Sequence, residues 1–266
     1  MAVEAAITGL EENLWDMWSC FGRGDGCTLV DRPDLLRFET PIPYIPYNSV
    51  LRFRGDERTD GVIDEVIAAY RSRDVPLMWV VHPTARPGDL GARLEARGLV
   101  EAEVCPGMVA RLSDVPPPRP FPGGVQVEQL GPAARTEFVE LVAWRYSYPR
   151  SAAEPLLSIM EARGFGQPGC PTKAWVARID GRIVSKVVLH VAAGVAGLYG
   201  VATRSEARGL GLAYNLTALA FEHARQHGYT TAVLHSTPMA VNLYRELGFR
   251  HVADFRLYST PGTLHL

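Results

Sequence analysis

A chain of 266 residues, 47% hydrophobic and 21% charged, has the composition of a globular protein and the length for two ordinary domains. A formal net charge of -2 excludes the broad basic field expected of a protein whose principal partner is nucleic acid. No stretch reaches the roughly 20 apolar residues of a membrane span, and MAVEAAITGLEENLW carries acids where an export signal carries positive charge, so a cytoplasmic protein is expected. The basic residues are nearly all Arg, with Lys173 and Lys186 as the two lysines, which fits a GC-rich bacterial genome. Cys20, Cys27, Cys105 and Cys170 lack the paired spacing of a zinc site or a disulfide framework; free thiols and no metal are expected.

In chain order, residues 4–20 read as a helix, with Ile7, Leu10, Leu14, Trp15 and Trp18 at helical spacing. Strands follow at 28–30, 35–39 and 49–54, then a helix near 60–72 and an apolar strand at 76–81. A helix over 87–99 starts at Pro87 and stops at Gly98, and a strand over 101–112 closes the half. The run 113-SDVPPPRPFPGG-124 has too many prolines for a helix or a central strand and predicts a stiff linker, dividing a domain of 1–112 from one of 125–266.

Past the linker come a strand at 125–129 and helices near 131–145 and 151–163. Strands at 173–179 and 183–191 are joined by Asp180-Gly181, a strong hairpin signal, and a third strand spans 195–202. A helix opened by 206-EARGLGLAYN-215 runs to about Gln226, followed by a strand at 230–235, a helix at 238–247 and a last strand at 249–258. The pair His223 and His227 has no third ligand and reads as a solvated helix end. The halves end alike, 90-LGARLEARGL-99 matching 240-AVNLYRELGF-249, which suggests an internal repeat.

Glycine costs about 1 kcal/mol against alanine inside a helix, so Gly209 and Gly211 need a reason. A strand running into a glycine turn at a helix start aims unpaired N–H groups at one spot, where the helix dipole favours an anion. Arg208 adds a positive charge beside it. The pattern is neither G-x-G-x-x-G, since Tyr214 stands at the third position, nor a P-loop.

With that element order, residues 123–260 resemble the GCN5-related N-acetyltransferase (GNAT) superfamily. The resemblance lies in 201-VATRSEARGLGLA-213, similar to the family's acyl-CoA pyrophosphate loop, and in 237-TPMAVNLYRELGF-249, similar to its Asn-x-x-Ala-x-x-Leu-Tyr-x-x-x-Gly-Phe. Glu206 and Thr237 depart from the family's usual Gln or Arg and Asn; Glu206 is expected to face solvent or to pair with Arg204 or Arg208. The resemblance implies a mixed, mostly antiparallel α/β sheet flanked by helices, in two GNAT-like halves of which the first is degenerate. It implies an N-acyltransferase that passes acetyl from acetyl-CoA to an amine of a small molecule or peptide.

It also implies roles. Val201, Ala202 and Thr203 hold the pantetheine and thioester; Arg208, Gly209, Leu210, Gly211, Leu212 and Ala213 hold the pyrophosphate; Thr237 assists; Tyr244 is the general acid to the CoA sulfur. Strand 195–202 lacks the carboxylate that family members often use as base, leaving Tyr199 and His190 as substitutes. That gap keeps open a thioester hydrolase or decarboxylase; a non-catalytic acyl-CoA-binding module is the other alternative. Trp144, Arg145, Tyr146 and Tyr148 give the expected acceptor region aromatic and cationic character. In the first half, Leu94 stands opposite Tyr244 when Gly98 is set against Gly248, and no Arg-Gly-x-Gly turn lies between a strand and a long helix.

Overall fold

The computed structural model describes residues 2–56 and 58–263. The first half forms α1 (Val3–Ser19), β1 (Thr28–Asp31), β2 (Leu35–Glu39), β3 (Ser49–Phe53), α2 (Thr59–Arg71), β4 (Met78–Val81), α3 (Leu90–Glu95) and β5 (Val100–Arg111). The second forms β6 (Gln126–Gln129), α4 (Arg135–Arg145), α5 (Arg150–Ala162), β7 (Thr172–Ile179), β8 (Arg182–Ala192), β9 (Val195–Thr203), α6 (Leu212–Gln226), β10 (Thr231–His235), α7 (Val241–Glu246) and β11 (Arg250–Ser259). Residues 112–125 carry no strand or helix.

The expected elements are present, with shifted ends. The helix over 87–99 contracts to α3, and the one over 238–247 splits into a 3-10 turn at Pro238–Ala240 and α7. Asp180 and Gly181 both take positive φ, 50° and 77°, the backbone of a two-residue hairpin turn with the right twist for its strands.

All eleven strands join one sheet in the order β1-β2-β3-β4-β11-β5-β10-β9-β8-β7-β6. Its pairs are antiparallel except β3 with β4 and β9 with β10. Apart from β6, the order is mirrored about the β11–β5 contact. Each half's last strand lies against the other half: β11 pairs with β4, and β5 pairs with β10. The two closing strands also pair with each other from Arg250–Val109 to Ser259–Val100.

Alternating strand residues feed opposite faces. Val176 and Val188 face a core built with α1, α4 and α5, while Trp175, Ala177 and Val187 face one built with α6 and α7. In the first half, Val50 and Trp79 pack with Ile63 and Val66 of α2 and with Leu90 and Leu94 of α3.

Helix α1 crosses the middle of the sheet, and its apolar stripe describes only part of its buried surface. Glu11, Asn13 and Ser19 are buried too. The Asn13 amide nitrogen donates to the carbonyls of His190, Ala192 and Val195 at 3.2–3.3 Å, and its oxygen accepts from the Tyr199 hydroxyl at 2.7 Å. Glu11 turns to the first half, meeting His82 Nδ1 at 2.9 Å and the Thr84 hydroxyl at 2.8 Å. Burial pushes the Glu11 carboxyl up, but His82 and Thr84 outweigh it and hold it below the ordinary range.

His82 closes the first half's parallel pair. Strands β3 and β4 pair at Ser49–Met78 and Val50–Trp79; beyond them the Phe53 amide donates to His82 Nε2 at 3.3 Å, and the Gly55 amide donates to the Arg86 carbonyl at 2.9 Å.

Candidate active site

The corresponding parallel pair in the second half stays open. Pairing of β9 with β10 covers 196–198 against 232–234, after which β9 runs on to Thr203 held by β8 alone. A bulge sits in that stretch: Lys186 pairs with Ala202 and Val188 with Tyr199, leaving Gly200 and Val201 opposite Val187. Gly200 takes φ +53°, and its carbonyl accepts a hydrogen bond of 2.5 Å from Lys186 Nζ.

Lys186 is 2% exposed, with its ammonium 5.2 Å from the Phe138 ring centroid. Burial, with some repulsion from Arg145, lowers its pKa to about 7. Between pH 7 and 10.5 the unfolded chain therefore binds more protons at this lysine than the folded one, and stability on its account rises with pH. Urea melts across that window are expected to show the rise, worth a few kcal/mol at most, and Lys186→Met is expected to flatten it.

After β9 comes a single 3-10 turn, Ser205–Ala207, and then the two glycines. They precede the helix rather than opening it: α6 begins at Leu212, with Gly211 as its N-cap residue. Gly209 and Gly211 have φ of +79° and +71°, and a Cβ on either would meet nothing within 4 Å. Glycine is required there by backbone conformation, not by crowding within the chain. No side chain caps α6, so its first amides remain free for an anion. Glu206 faces solvent, as expected; it accepts a bond from Ser205 and lies 3.7 Å from Arg182, and it forms no ion pair with Arg204 or Arg208.

The open strand edge, the turn and α7 border one cavity of about 480 Å³. Val201, Ala202, Thr203, Arg208, Ala213, Thr237 and Tyr244 all line it, as do Tyr199, Tyr146 and Tyr148. Gly209, Leu210, Gly211 and Leu212 form the turn beside it without lining it. Tyr244 is 6% exposed, and burial drives its phenol well above the ordinary value, so it holds its proton throughout the neutral range.

Two expected residues are placed elsewhere. Trp144 is exposed beneath the Arg204 guanidinium, 4.3 Å from its ring centroid. His190 lies in a separate cleft beside α1, with Nε2 2.8 Å from Asp16 and Nδ1 2.8 Å from the Thr172 hydroxyl. The hydroxyl of Tyr199 is committed to Asn13.

Sequence reasoning expected the first half to cover or extend the acceptor site but named none of its residues there. Trp18, Tyr44, Ile45, Glu103 and Cys105 line the same cavity. Tyr44 packs 4.6 Å from Tyr148 between ring centroids, and the Tyr148 hydroxyl donates to the Ile45 carbonyl. Glu103 has a legible signal: it shares the strand parity of Cys105 and Val109, which face the core on the α1 side. His235, the last residue of β10, also lines the cavity. Among the described residues neither of its ring nitrogens has a hydrogen-bond partner, and burial drops its pKa to about 3.

Residues 136–249, which contain the open β9 edge, the glycine turn and α7, match the family model "Acetyltransferase (GNAT) family". This segment is a GNAT acetyltransferase domain. Over nearly the whole chain the fold is that of GNAT proteins: a GCN5-related N-acetyltransferase from Kribbella flavida superimposes with a TM-score of 0.68 at 22% identity, covering 94% of this chain and 96% of that one. A tandem GNAT protein from the clavulanic acid biosynthesis pathway superimposes with a TM-score of 0.61 at 14% identity, covering 97% and 94%. In sequence, the chain is 36% identical over 93 residues to the N-acetylaspartate synthetase of Rattus norvegicus, covering 33% of this chain and 31% of that protein. The chain thus spans about a third of the length of the curated relatives it matches. Among the described residues, the GNAT domain and the first half hold no cluster of three His, Cys, Asp or Glu able to bind a metal, and no helix long and apolar enough to cross a membrane.

Proposed function

We propose that the protein transfers acetyl from acetyl-CoA to a primary amine of a small molecule or peptide, by direct attack with both substrates bound. The observation that carries this reading is the open edge of β9 leading into the uncapped start of α6 within one cavity. In this reading Val201, Ala202 and Thr203 offer backbone groups to the pantetheine arm. The amides at the start of α6, with Arg208, take the pyrophosphate, which the positive-φ glycines let close to the backbone. Tyr244, protonated in the cavity wall, gives its proton to the departing sulfur. The GNAT family match and the relative's name, N-acetylaspartate synthetase, support transfer to an amine.

We read residues 1–112 as a GNAT-like unit without a cofactor site, joined through 113–124 to the catalytic unit. The mirrored strand order supports this, as do the His82 and Arg86 contacts that occupy the edge left open in β9. Its part is to wall the acceptor end.

Acetyl-CoA at about 100 times its Kd is expected to add about 2.7 kcal/mol of stability, a rise of several degrees in Tm. Adding amines is expected to release CoA thiol. Gly211→Val, strained by about 1–2 kcal/mol at its left-handed φ, is expected to fold and to lose most of the shift. Absence of any shift with the unaltered protein would sink the reading, and thiol release independent of added amine would turn it toward hydrolysis.

A further inference from the structure

The acceptor end of the cavity carries two opposite charges that do not satisfy each other. Glu103 enters from β5, opposite Leu257 and two pairs along from Cys105–Phe255. Its Oε2 is buried without a hydrogen-bond partner. Burial raises the carboxyl's pKa, and the nearby Cys105 thiol and Arg145 guanidinium only partly counter it. Glu103 is the one carboxylate among the described residues lining the cavity.

Arg145 enters from the end of α4, with its guanidinium 5.3 Å from the Tyr146 ring centroid. It makes no hydrogen bond or ion pair among the described residues, and it lines the same cavity as Glu103 and Gly200; its charge acts on both Glu103 and Lys186. The walls joining the two charges are aromatic: Tyr146 stacks on Tyr148 at 5.4 Å, with Tyr44 and Phe255 beyond. A carboxylate with one buried oxygen unpartnered and a guanidinium without an ion pair, both partly out of water, cost free energy that a ligand of reversed polarity returns.

We propose that the acceptor is a zwitterion, an amino acid with an apolar or aromatic body, whose ammonium is held by Glu103 and whose carboxylate is held by Arg145. The inference rests on the acetyl-transfer reading above. Glu103 takes one proton from the ammonium, and the freed lone pair forms the N–C bond at the thioester carbonyl. The C–S bond then breaks, with the sulfur leaving on a proton from Tyr244. The surplus proton on nitrogen returns to the Tyr244 oxygen, so one proton reaches solvent through Glu103. The base absent from strand 195–202 is thereby supplied by the first half.

The test compares L-phenylalanine, L-phenylalaninamide and phenethylamine as acceptors, with acetyl-CoA as donor and released thiol as readout. The unaltered protein is expected to favour the free acid at least tenfold in kcat/KM. Arg145→Leu is expected to raise KM for L-phenylalanine at least tenfold and to abolish its preference over phenethylamine. Glu103→Gln is expected to lower kcat about 100-fold while the acetyl-CoA thermal shift persists. Equal use of acid, amide and amine, refusal of the free acid, or an unchanged rate in Glu103→Gln would overturn the proposal. These outcomes differ from failure of the parent reading, which shows as no acetyl-CoA shift and no thiol release from any amine.

Discussion

Tyr244→Phe is expected to lower kcat for acetyl transfer by about 100-fold or more, with acetyl-CoA affinity changed by less than a few-fold. The substitution removes one hydroxyl from a side chain that is 6% exposed and packed beside Phe249, so the ring keeps its contacts and the fold keeps its core. That hydroxyl has no hydrogen-bond partner among the described residues, which leaves it free to serve a ligand in the cavity. Single-turnover thiol release separates chemistry from binding. A rate within twofold of the unaltered protein would remove Tyr244 as the acid and shift the proton source to water.

Asn13→Ala is expected to destabilise the protein by about 3 kcal/mol or more, since each buried polar group left unpaired costs about 1–3 kcal/mol. Asn13 is fully buried, and one amide orientation satisfies its whole surroundings: the NH2 group faces three carbonyls of β8 and β9, and the oxygen faces the Tyr199 hydroxyl. The fit leaves no room for adjustment, because a Cβ at Gly197 would stand 1.9 Å from that oxygen. Removing the amide loosens α1 from the strand that borders the cavity. Urea denaturation measures the loss, and KM for acetyl-CoA is expected to rise in parallel. A change under about 1 kcal/mol, the worth of one ordinary hydrogen bond, would mean that the seam is held by apolar packing alone.

The second effect concerns the seam between the halves, and that is where legibility from the sequence ended. The hairpin at Asp180-Gly181 was readable because its backbone requires residues that tolerate positive φ. The stretch 201–213 was readable for the same reason, since Gly209 and Gly211 supply a conformation that other residues resist. Such features depend on the chain within a few residues of themselves, and the glycine turn marks the proposed cofactor end of the candidate site.

Tertiary structure decided the rest. Nothing local distinguishes Asn13 or Glu11 from solvated helix residues; their partners are 177 and 71 residues away. Nothing local in 249–258 says that β11 will pair with β4, or that β5 will pair with β10. His190 and Tyr199 looked free to serve an acceptor until α1 claimed their polar atoms through Asp16 and Asn13. Glu103 was not singled out in the sequence; the exchange of closing strands sets β5 against β10 and so brings Glu103 to the cavity that the open end of β9 borders. The sequence by itself determined the elements and the glycine turn, because backbone conformation and periodicity are local; Tyr244 entered only through the resemblance to a family. Only the folded sheet decided which charges meet in the cavity, because strand pairing is a contact between distant segments and leaves no mark on either one alone.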